Sequence, residues 1–527
     1  MADTPELVTL TIEGAEVSVP KGTTILEAAK QAGVLIPHYC YHPALPVAGV
    51  CRMCLVQIEG VPKLQIACAT PVAAGQQINV FSAEAAEARK GVLEFLLINH
   101  PLDCPICDQA GECELQDYVF QEGRASSRYT PTFAKRFNPA EEFGPDVLYV
   151  PNRCILCTRC VRFMDHAAGE PVLNVSERGD RAFIGIHPDH ALDHPWSGNV
   201  VDLCPVGSLI SRDFLHKARA WELDKTASIC TGCSQGCNIG IETRQNVVVR
   251  LRPRPNEAVN RYFMCDHGRL HYRWMNRGDR IEAPLVRRQD ELAATDWDDA
   301  LQDAAKLIGG AEGNVLVLAS PRASNEALYL ARSVAGPGFR GSFRVERVPD
   351  EHPLPGVPNL ALRGERAPNV RGATTLGYAE REAGQPADVR GAGVVLVLDD
   401  DLAGLAAEAL SGATVIYLGT VLPQAARGAA VVLPVATVAE EDGSFVNRDG
   451  RVQRYQQAIA GPGMARPAWW VLGGLRELLD RGTAPGGAAE AFAVLAADHE
   501  AFAGLTYEKL GWHGARLAAG HPAGASA

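Results

Sequence analysis

Fifteen cysteines lie between residues 40 and 265, and none follows Cys265. In chain order they form four sets: Cys40, Cys51, Cys54 and Cys68; Cys104, Cys107 and Cys113; Cys154, Cys157, Cys160 and Cys204; and Cys230, Cys233, Cys237 and Cys265. The short set is preceded by His100, in His100-x3-Cys104-x2-Cys107-x5-Cys113. An imidazole can take the place of a thiolate on iron. With His100 the ligands fill four sites of four, and the chemistry of such sites is metal-thiolate redox chemistry. His38 and His42 flank Cys40, where four thiols are already at hand, and are read as non-ligands.

The spacings say which metal groups fit. Cys40-x10-Cys51-x2-Cys54-x13-Cys68 has the ligand set of a plant-type [2Fe-2S] loop, with a first gap six residues longer than C-x4-C-x2-C. Cys154-x2-Cys157-x2-Cys160 with a remote Cys204-Pro205 has the form of the bacterial [4Fe-4S] run. Zinc more often takes two C-x2-C pairs. For Cys230-x2-Cys233-x3-Cys237 with Cys265, structural zinc stays open beside a [4Fe-4S] cluster.

These ligands need elements to hold them. Residues 7–12 and 16–19 read as strands about a turn at Gly14, and Thr24 with Glu27 forms a capping box before an apolar helix. That is the entry to a ferredoxin-like β-grasp unit. Gly49, just before Cys51, lets the loop turn closely around a metal group. Residues 91–99 read as a helix that delivers His100 and Pro101, and residues 124–148 as a linker or surface loop. Residues 238–251 alternate as a hairpin between two ligand loops.

From about residue 286 the character changes. Residues 314–318, 394–398 and 414–418 are continuously apolar, and residues 324–334 and 402–410 read as helices after the first two. Strands buried on both faces and alternating with helices imply a parallel sheet in an α/β domain. Residues 336–341 match G-x-G-x-x-G but follow a helix and contain Pro337, so they read as a loop. Residues 440–451 read as a solvated turn between sheet and helix. The Ala-, Gly- and Pro-rich tail is expected to be disordered.

A chain of 527 residues has room for several cores. The start has neither a basic nor an apolar leader region, and no run of about 18 apolar residues is present. Closely spaced cysteine triplets without a signal peptide fit metal thiolates in a reducing cytosol better than disulfides. A net charge of -12 argues against general nucleic-acid binding.

The order of these motifs resembles the large iron-sulfur subunit family of respiratory complex I, the G subunit of bacterial NADH-quinone oxidoreductase. Residues 320–326 and 443–453 resemble the family as well. The resemblance implies α+β ferredoxin-like iron-sulfur modules, the β-grasp [2Fe-2S] domain first, followed by an α/β molybdopterin-oxidoreductase-like domain. Its domains would be 1–85 ([2Fe-2S]), 86–130 ([4Fe-4S] with His100), 131–225 ([4Fe-4S]), 226–285 (fourth [4Fe-4S]), 286–515 (shortened α/β, without molybdopterin) and a tail at 516–527. It implies one [2Fe-2S] and three [4Fe-4S] clusters. Electrons would enter from a flavin- and NADH-binding subunit with its small [2Fe-2S] partner. They would pass the Cys40 set, the Cys154 set and the His100 set in turn, and leave for a ferredoxin-like two-cluster subunit. The fourth cluster would lie off this route. Other peripheral-arm subunits would be neighbours, and the chain would meet the cytoplasmic face of the inner membrane only through the complex, which couples NADH oxidation to proton translocation. No catalytic residue is required.

Two enzymes share parts of this pattern. A NAD-linked formate dehydrogenase would need a longer chain and a further Cys or selenocysteine to enclose molybdopterin, and an iron-only hydrogenase would need further cysteines. A non-redox zinc scaffold would be colourless.

Overall fold

The computed structural model describes residues 6–518 except 130–134, 136, 312, 382–384, 386, 404, 406–409 and 411, with Asp180 by its backbone alone. Residues 519–527 of the expected tail, and most of the helix expected at 402–410, lie outside the described residues; residues 516–518, expected in the tail, are instead held in the fold, Arg516 pairing with Arg451 and Leu517 N donating to Gly450 O at 2.9 Å. The chain divides into two units: Met1–Glu222 with Leu354–Pro358, and Leu223–Pro353 with Asn359–Ala527.

The first unit opens with strands β1 (Leu7–Ile12) and β2 (Ala15–Pro20), paired antiparallel from Leu7↔Pro20 to Ile12↔Ala15. Glu13 (φ 48) and Gly14 (φ 79) make the two-residue turn, both left-handed, as a tight hairpin with right-twisted strands demands. Helix α1 (Ile25–Gln31) starts at Thr24, whose hydroxyl accepts from Glu27 N at 3.3 Å, and turns Ile25, Leu26, Ala28 and Ala29 onto Leu10, Ile12 and Val19. Strands β3 (Leu55–Ile58), β4 (Gln65–Ile66) and β5 (Gln77–Asn79) complete a sheet of order β2-β1-β5-β3-β4, with β1 and β5 parallel: a β-grasp.

Helix α2 (Ala83–Asn99) begins eight residues before the expected start, because Ser82 caps it and its Ala- and Glu-rich first turns are good helix formers. Buried Arg89 donates to Val80 O at 2.9 Å and to Glu122 at 2.8 Å, and so ties α2 to α3 (Glu114–Glu122). The linker expected at 124–148 is partly ordered sheet: Glu141–Glu142 and Val147–Tyr149 pair antiparallel, with Phe143 and Val147 buried. A four-residue helix α4 (Arg159–Arg162) widens beyond its end, where Ala168 N reaches back to Phe163 O at 2.9 Å. The segment Leu354–Pro358 completes this unit, with Gly356 N donating to Ala167 O at 2.8 Å.

The second unit begins with an antiparallel meander, Asp224–Ile229, Asn238–Arg244 and Val247–Pro253, which contains the expected hairpin. An eight-stranded sheet follows. Its parallel strands stand in the order Val431–Pro434, Thr414–Gly419, Val394–Leu398, Val315–Ala319, Arg340–Phe343, Ala379–Glu380, a doubly wound arrangement that reverses direction between Val315–Ala319 and Val394–Leu398. The three apolar runs are its central strands, packed on both faces. The segment at 336–341 caps helix Asn325–Ala335 at Gly336 (φ 79) and runs into the strand Arg340–Phe343, which pairs with Val315–Ala319 on one side and Ala379–Glu380 on the other.

The solvated turn expected at 440–451 is instead a buried hairpin, Gly443–Val446 against Arg451–Tyr455. Its carboxylates are taken up by distant partners. Glu440 pairs with Arg280 at 2.8 Å, and Glu441 accepts from Tyr455 OH at 3.0 Å and Ala468 N at 3.2 Å. Next to it Glu326 accepts from Ser444 Oγ at 2.8 Å, Ser444 N at 3.0 Å and Tyr507 OH at 2.7 Å.

Burial pushes Glu326 up from an ordinary 4.5 to about 7, and Glu441 to about 8. Both carboxyls are therefore harder to ionise folded than unfolded. The stability they supply is full below pH 4.5 and is lost as pH rises through 7 and 8. The protein is expected to unfold at progressively lower temperature between pH 5 and 8.5. The double substitution Glu326→Gln and Glu441→Gln, which fixes the neutral form, should flatten that decline; an unchanged slope in a melting series would refute the assignment.

Candidate metal centres

The first centre is assembled by the β-grasp unit. Cys40 precedes a loop that turns at Gly49 (φ 65) and Arg52 (φ 57); a Cβ on Gly49 would come within 3.2 Å of Ile66 Cδ1. Cys54 leads into β3, and Cys68 follows β4 in a turn held to α1 by Leu26 N to Ala67 O at 3.0 Å. The four thiols meet. Cys51 and Cys68 hydrogen bond to the Cys40 sulfur and hold its pKa down, and Cys68 does the same for Cys54. Backbone N-H groups of Val50 and Cys51 also face Cys40.

The second centre lies between two helices. His100 ends α2, Cys104–Ile106 form a single tight turn, Gly111 (φ 86) swings the loop back, and Cys113 caps α3. His100, Cys104, Cys107 and Cys113 all line one cavity of about 550 Å³. Burial, with the charges of Lys135 and Arg153, holds His100 down at about 4, so its imidazole is neutral at pH 7 with a lone pair to give a metal. Burial pushes Cys113 up to about 11, against N-H groups of Gln116 and Leu115. Cys104 alone of the fifteen cysteines is exposed.

In the third centre Cys154, Cys157, Cys160 and Cys204 line one small pocket with Tyr149 and Ser208. Leu156 (φ 52) and Thr158 (φ 61) both take left-handed backbone, costly for side chains of their kind, and this curls the three-cysteine run into a bowl. Leu156 N donates to Cys154 Sγ at 3.4 Å, and N-H groups of Val206, Ser208 and Leu209 face Cys204. Burial pushes Cys154 to about 11 and Cys157 to about 12.

The fourth centre belongs to the second unit. Pairing of Ile229 with Asn238 closes the loop that carries Cys230, Cys233 and Cys237, and Cys265 caps the short helix Asp266–Leu270. Gly232 N and Gly268 N donate to Cys230 Sγ and Cys265 Sγ, each at 3.4 Å. A Cβ on Gly268 would lie 2.8 Å from Cys230 Sγ. Arg322 reaches this loop through Thr231 O at 2.9 Å.

Every residue that the spacings singled out thus gathers with its set. Thiols raised by burial ionise in exchange for a bound metal, and peptide N-H groups aimed at sulfur stabilise the thiolate that results. Among the described residues no three His, Cys, Asp or Glu side chains are arranged around a single point as one ion would require. His38 and His42 have other roles: Nδ1 of His38 is 2.8 Å from Ile36 O, and Nδ1 of His42 accepts from Ala44 N at 3.2 Å.

The spacings did not expose what stands between the centres of the first unit. Tyr39, Cys40, Cys113 and Cys157 share one buried cluster, so residues of three centres pack in a single core. Arg162 donates to Cys40 O at 2.5 Å and to Cys157 O at 3.2 Å; Arg153 donates to Asp103 at 3.0 Å and to Gly207 O at 3.4 Å. The available signal was basic residues inside a run whose cysteines must be buried. A long side chain there has to find backbone carbonyls or carboxylates.

Comparison with known proteins follows the same order. The "2Fe-2S iron-sulfur cluster binding domain" matches residues 6–82, the "NADH-ubiquinone oxidoreductase-G iron-sulfur binding region" 89–128, and the "NADH-quinone oxidoreductase subunit 3, ferredoxin-like domain" 144–210. The "Molybdopterin oxidoreductase Fe4S4 domain" matches 223–277, and "Molybdopterin oxidoreductase" 387–478. The NADH-quinone oxidoreductase G subunit of Rickettsia bellii is 40% identical over 62% of this chain and 48% of its own length. The mitochondrial NADH-ubiquinone oxidoreductase 78 kDa subunit of Neurospora crassa is 45% identical over 58% and 41%. The chain spans about half the length of the curated relatives it matches. A chain of a NAD+-reducing [NiFe]-hydrogenase crystal structure matches 40% of this chain and 90% of its own length at 31% identity, with a TM-score of 0.37.

Proposed function

We propose that this chain, a homologue of the NADH-quinone oxidoreductase G subunit over more than half its length, is the electron-relay subunit of a proton-translocating NADH:quinone oxidoreductase. The observation that carries the reading is the shared core of the first unit, in which Cys40, Cys113 and Cys157 pack against one another's neighbours. Centres that exchange single electrons need such proximity; a set of independent structural metal sites does not.

The residue assignment is one [2Fe-2S] cluster on Cys40, Cys51, Cys54 and Cys68. Three [4Fe-4S] clusters sit on His100 with Cys104, Cys107 and Cys113; on Cys154, Cys157, Cys160 and Cys204; and on Cys230, Cys233, Cys237 and Cys265. When bound, these clusters supply one-electron chemistry in which no substrate bond is made or broken. The chain's own work is to exclude water, aim N-H groups at sulfur and fix the order of the sites. The domain division is 1–85, 86–130, 131–225, 226–285 and 286–515, the last an α/β scaffold.

Entry of electrons is from a flavin- and NADH-binding subunit with its small [2Fe-2S] partner. Their exit, past the His100 set, is to a ferredoxin-like two-cluster subunit. The exposure of Cys104 supports that exit, as do the apolar side chains around it: Leu102 (87% exposed), Ile106, Phe120 (93%) and Trp221. No helix among the described residues is long and apolar enough to cross a membrane. A peripheral place on the cytoplasmic face, among other peripheral-arm subunits, fits that finding.

Elemental analysis of anaerobically purified protein tests the reading. About 14 irons per chain without molybdenum is the expected result. About ten irons with one zinc would make the fourth site structural, and stoichiometric molybdenum would overturn the assignment in favour of a molybdopterin enzyme such as a NAD-linked formate dehydrogenase.

A further inference from the structure

Three arginines rise from the third cysteine run, and two have their donors engaged. Arg162 gives Nε to Thr158 Oγ1 at 3.3 Å, Nη1 to Pro46 O at 2.5 Å and Nη2 to Cys40 O and Cys157 O. Arg153 gives Nε and Nη2 to Asp103 and Nη1 to Gly207 O. Arg159 differs.

It lies between Cys157 and Cys160 and is 5% exposed. Its two terminal nitrogens grip Glu114 at 2.9 and 3.2 Å, and also donate to Leu203 O at 3.3 Å and Tyr41 O at 3.0 Å. One guanidinium thus touches chain next to Cys204, Cys40 and Cys113, ligands of three different centres. Its Nε is buried with no partner among the described residues. A buried guanidinium N-H left unmet is costly. No cysteine sulfur among the described residues lies within hydrogen-bond reach of Nε, yet Arg159's charge acts on Cys157 and Cys204, so the acceptor left to meet Nε is one that the centre itself would bring.

We propose that Arg159 is the positioning residue that sets the reduction potential of the Cys154, Cys157, Cys160 and Cys204 centre, with Glu114 as the opposing charge; the proposal rests on the relay reading above. A fixed positive charge in a low-dielectric core favours the reduced, more negative state of the centre, and the free Nε-H adds a hydrogen bond to its sulfur. Glu114, more open to solvent, offsets part of that charge.

The test is a redox titration of the purified complex followed by electron paramagnetic resonance, reading the signal that a Cys157→Ser chain lacks, with iron counted in each variant. Arg159→Met should lower the reduced-to-oxidised ratio at fixed potential at least tenfold, 59 mV for one electron. Glu114→Gln should raise it. Arg159→Lys, which keeps the charge but not the Nε donor, should fall between wild type and Arg159→Met. Full iron with the ratio unmoved in Arg159→Met overturns the proposal. Should that variant fail to load iron, Glu114→Gln decides: a raised ratio upholds the proposal and an unmoved one overturns it. Zinc in place of iron at this centre would bring down the relay reading itself.

Discussion

Alanine in place of Gly207 is expected to empty the His100 centre while leaving the fold in place. A Cβ there would lie 2.2 Å from Cys107 Sγ and 3.1 Å from Gln109 Cβ. A free cysteine could rotate its sulfur away at little cost, so the folded chain should persist, with a melting temperature within about 4 °C of wild type. A cysteine bound to a cluster has no such freedom, since its sulfur is fixed by the metal. The variant should therefore lose about four irons per chain and, on the proposed relay function, the NADH-driven quinone reduction of the assembled complex. Gly91→Ala is the control: nothing lies within 4 Å of a Cβ on Gly91, inside α2, and its iron content should not change. Full iron in the Gly207 variant would show that the sulfur of Cys107 points elsewhere when loaded.

Glu440→Ala should strongly destabilise the second unit. Arg280 and Glu440 are 3% and 2% exposed and meet through two contacts of 2.8 Å. Arg280 also donates to Thr420 O and Val435 O, and Glu440 accepts from Thr437 N at 2.8 Å. Removing the carboxylate strands a buried cation and a backbone donor together, at a cost of about 3–5 kcal/mol. The melting transition should fall by at least about 6 °C. Replacing both partners by apolar side chains, Arg280→Met with Glu440→Leu, removes the uncompensated charge and should recover much of the loss. A single variant that melts within about 2 °C of wild type would mean that water reaches the pair.

How much could be read in advance followed from how local each signal is. Cysteine spacing is local, because in three of the four sets three of the residues sit within about ten positions of one another, so the sets could be read before any partner in the fold was known. The parallel strands were legible for the same reason: five apolar residues in a row have few other homes. The hairpin at 443–455 was not. Glu440 and Glu441 look solvated until Arg280, Tyr455 and Ala468 N arrive from up to 160 residues away. The left-handed Leu156 and Thr158 were invisible as well, since no residue type announces backbone that tertiary packing imposes. Arg159 combines both difficulties: its partners come from residues 41, 114 and 203, and its significance lies in the one donor with none.

The five residues Leu354–Pro358 belong to the first unit although the chain has by then built much of the second. Leu354 and Val357 are buried, and Gly356 fits where a Cβ would strike His166 O at 2.2 Å. On the ribosome, then, the first unit still lacks one of its own segments when residue 222 emerges, and its full set of contacts, Gly356 N to Ala167 O among them, is reached only when about two thirds of the 527 residues have been made.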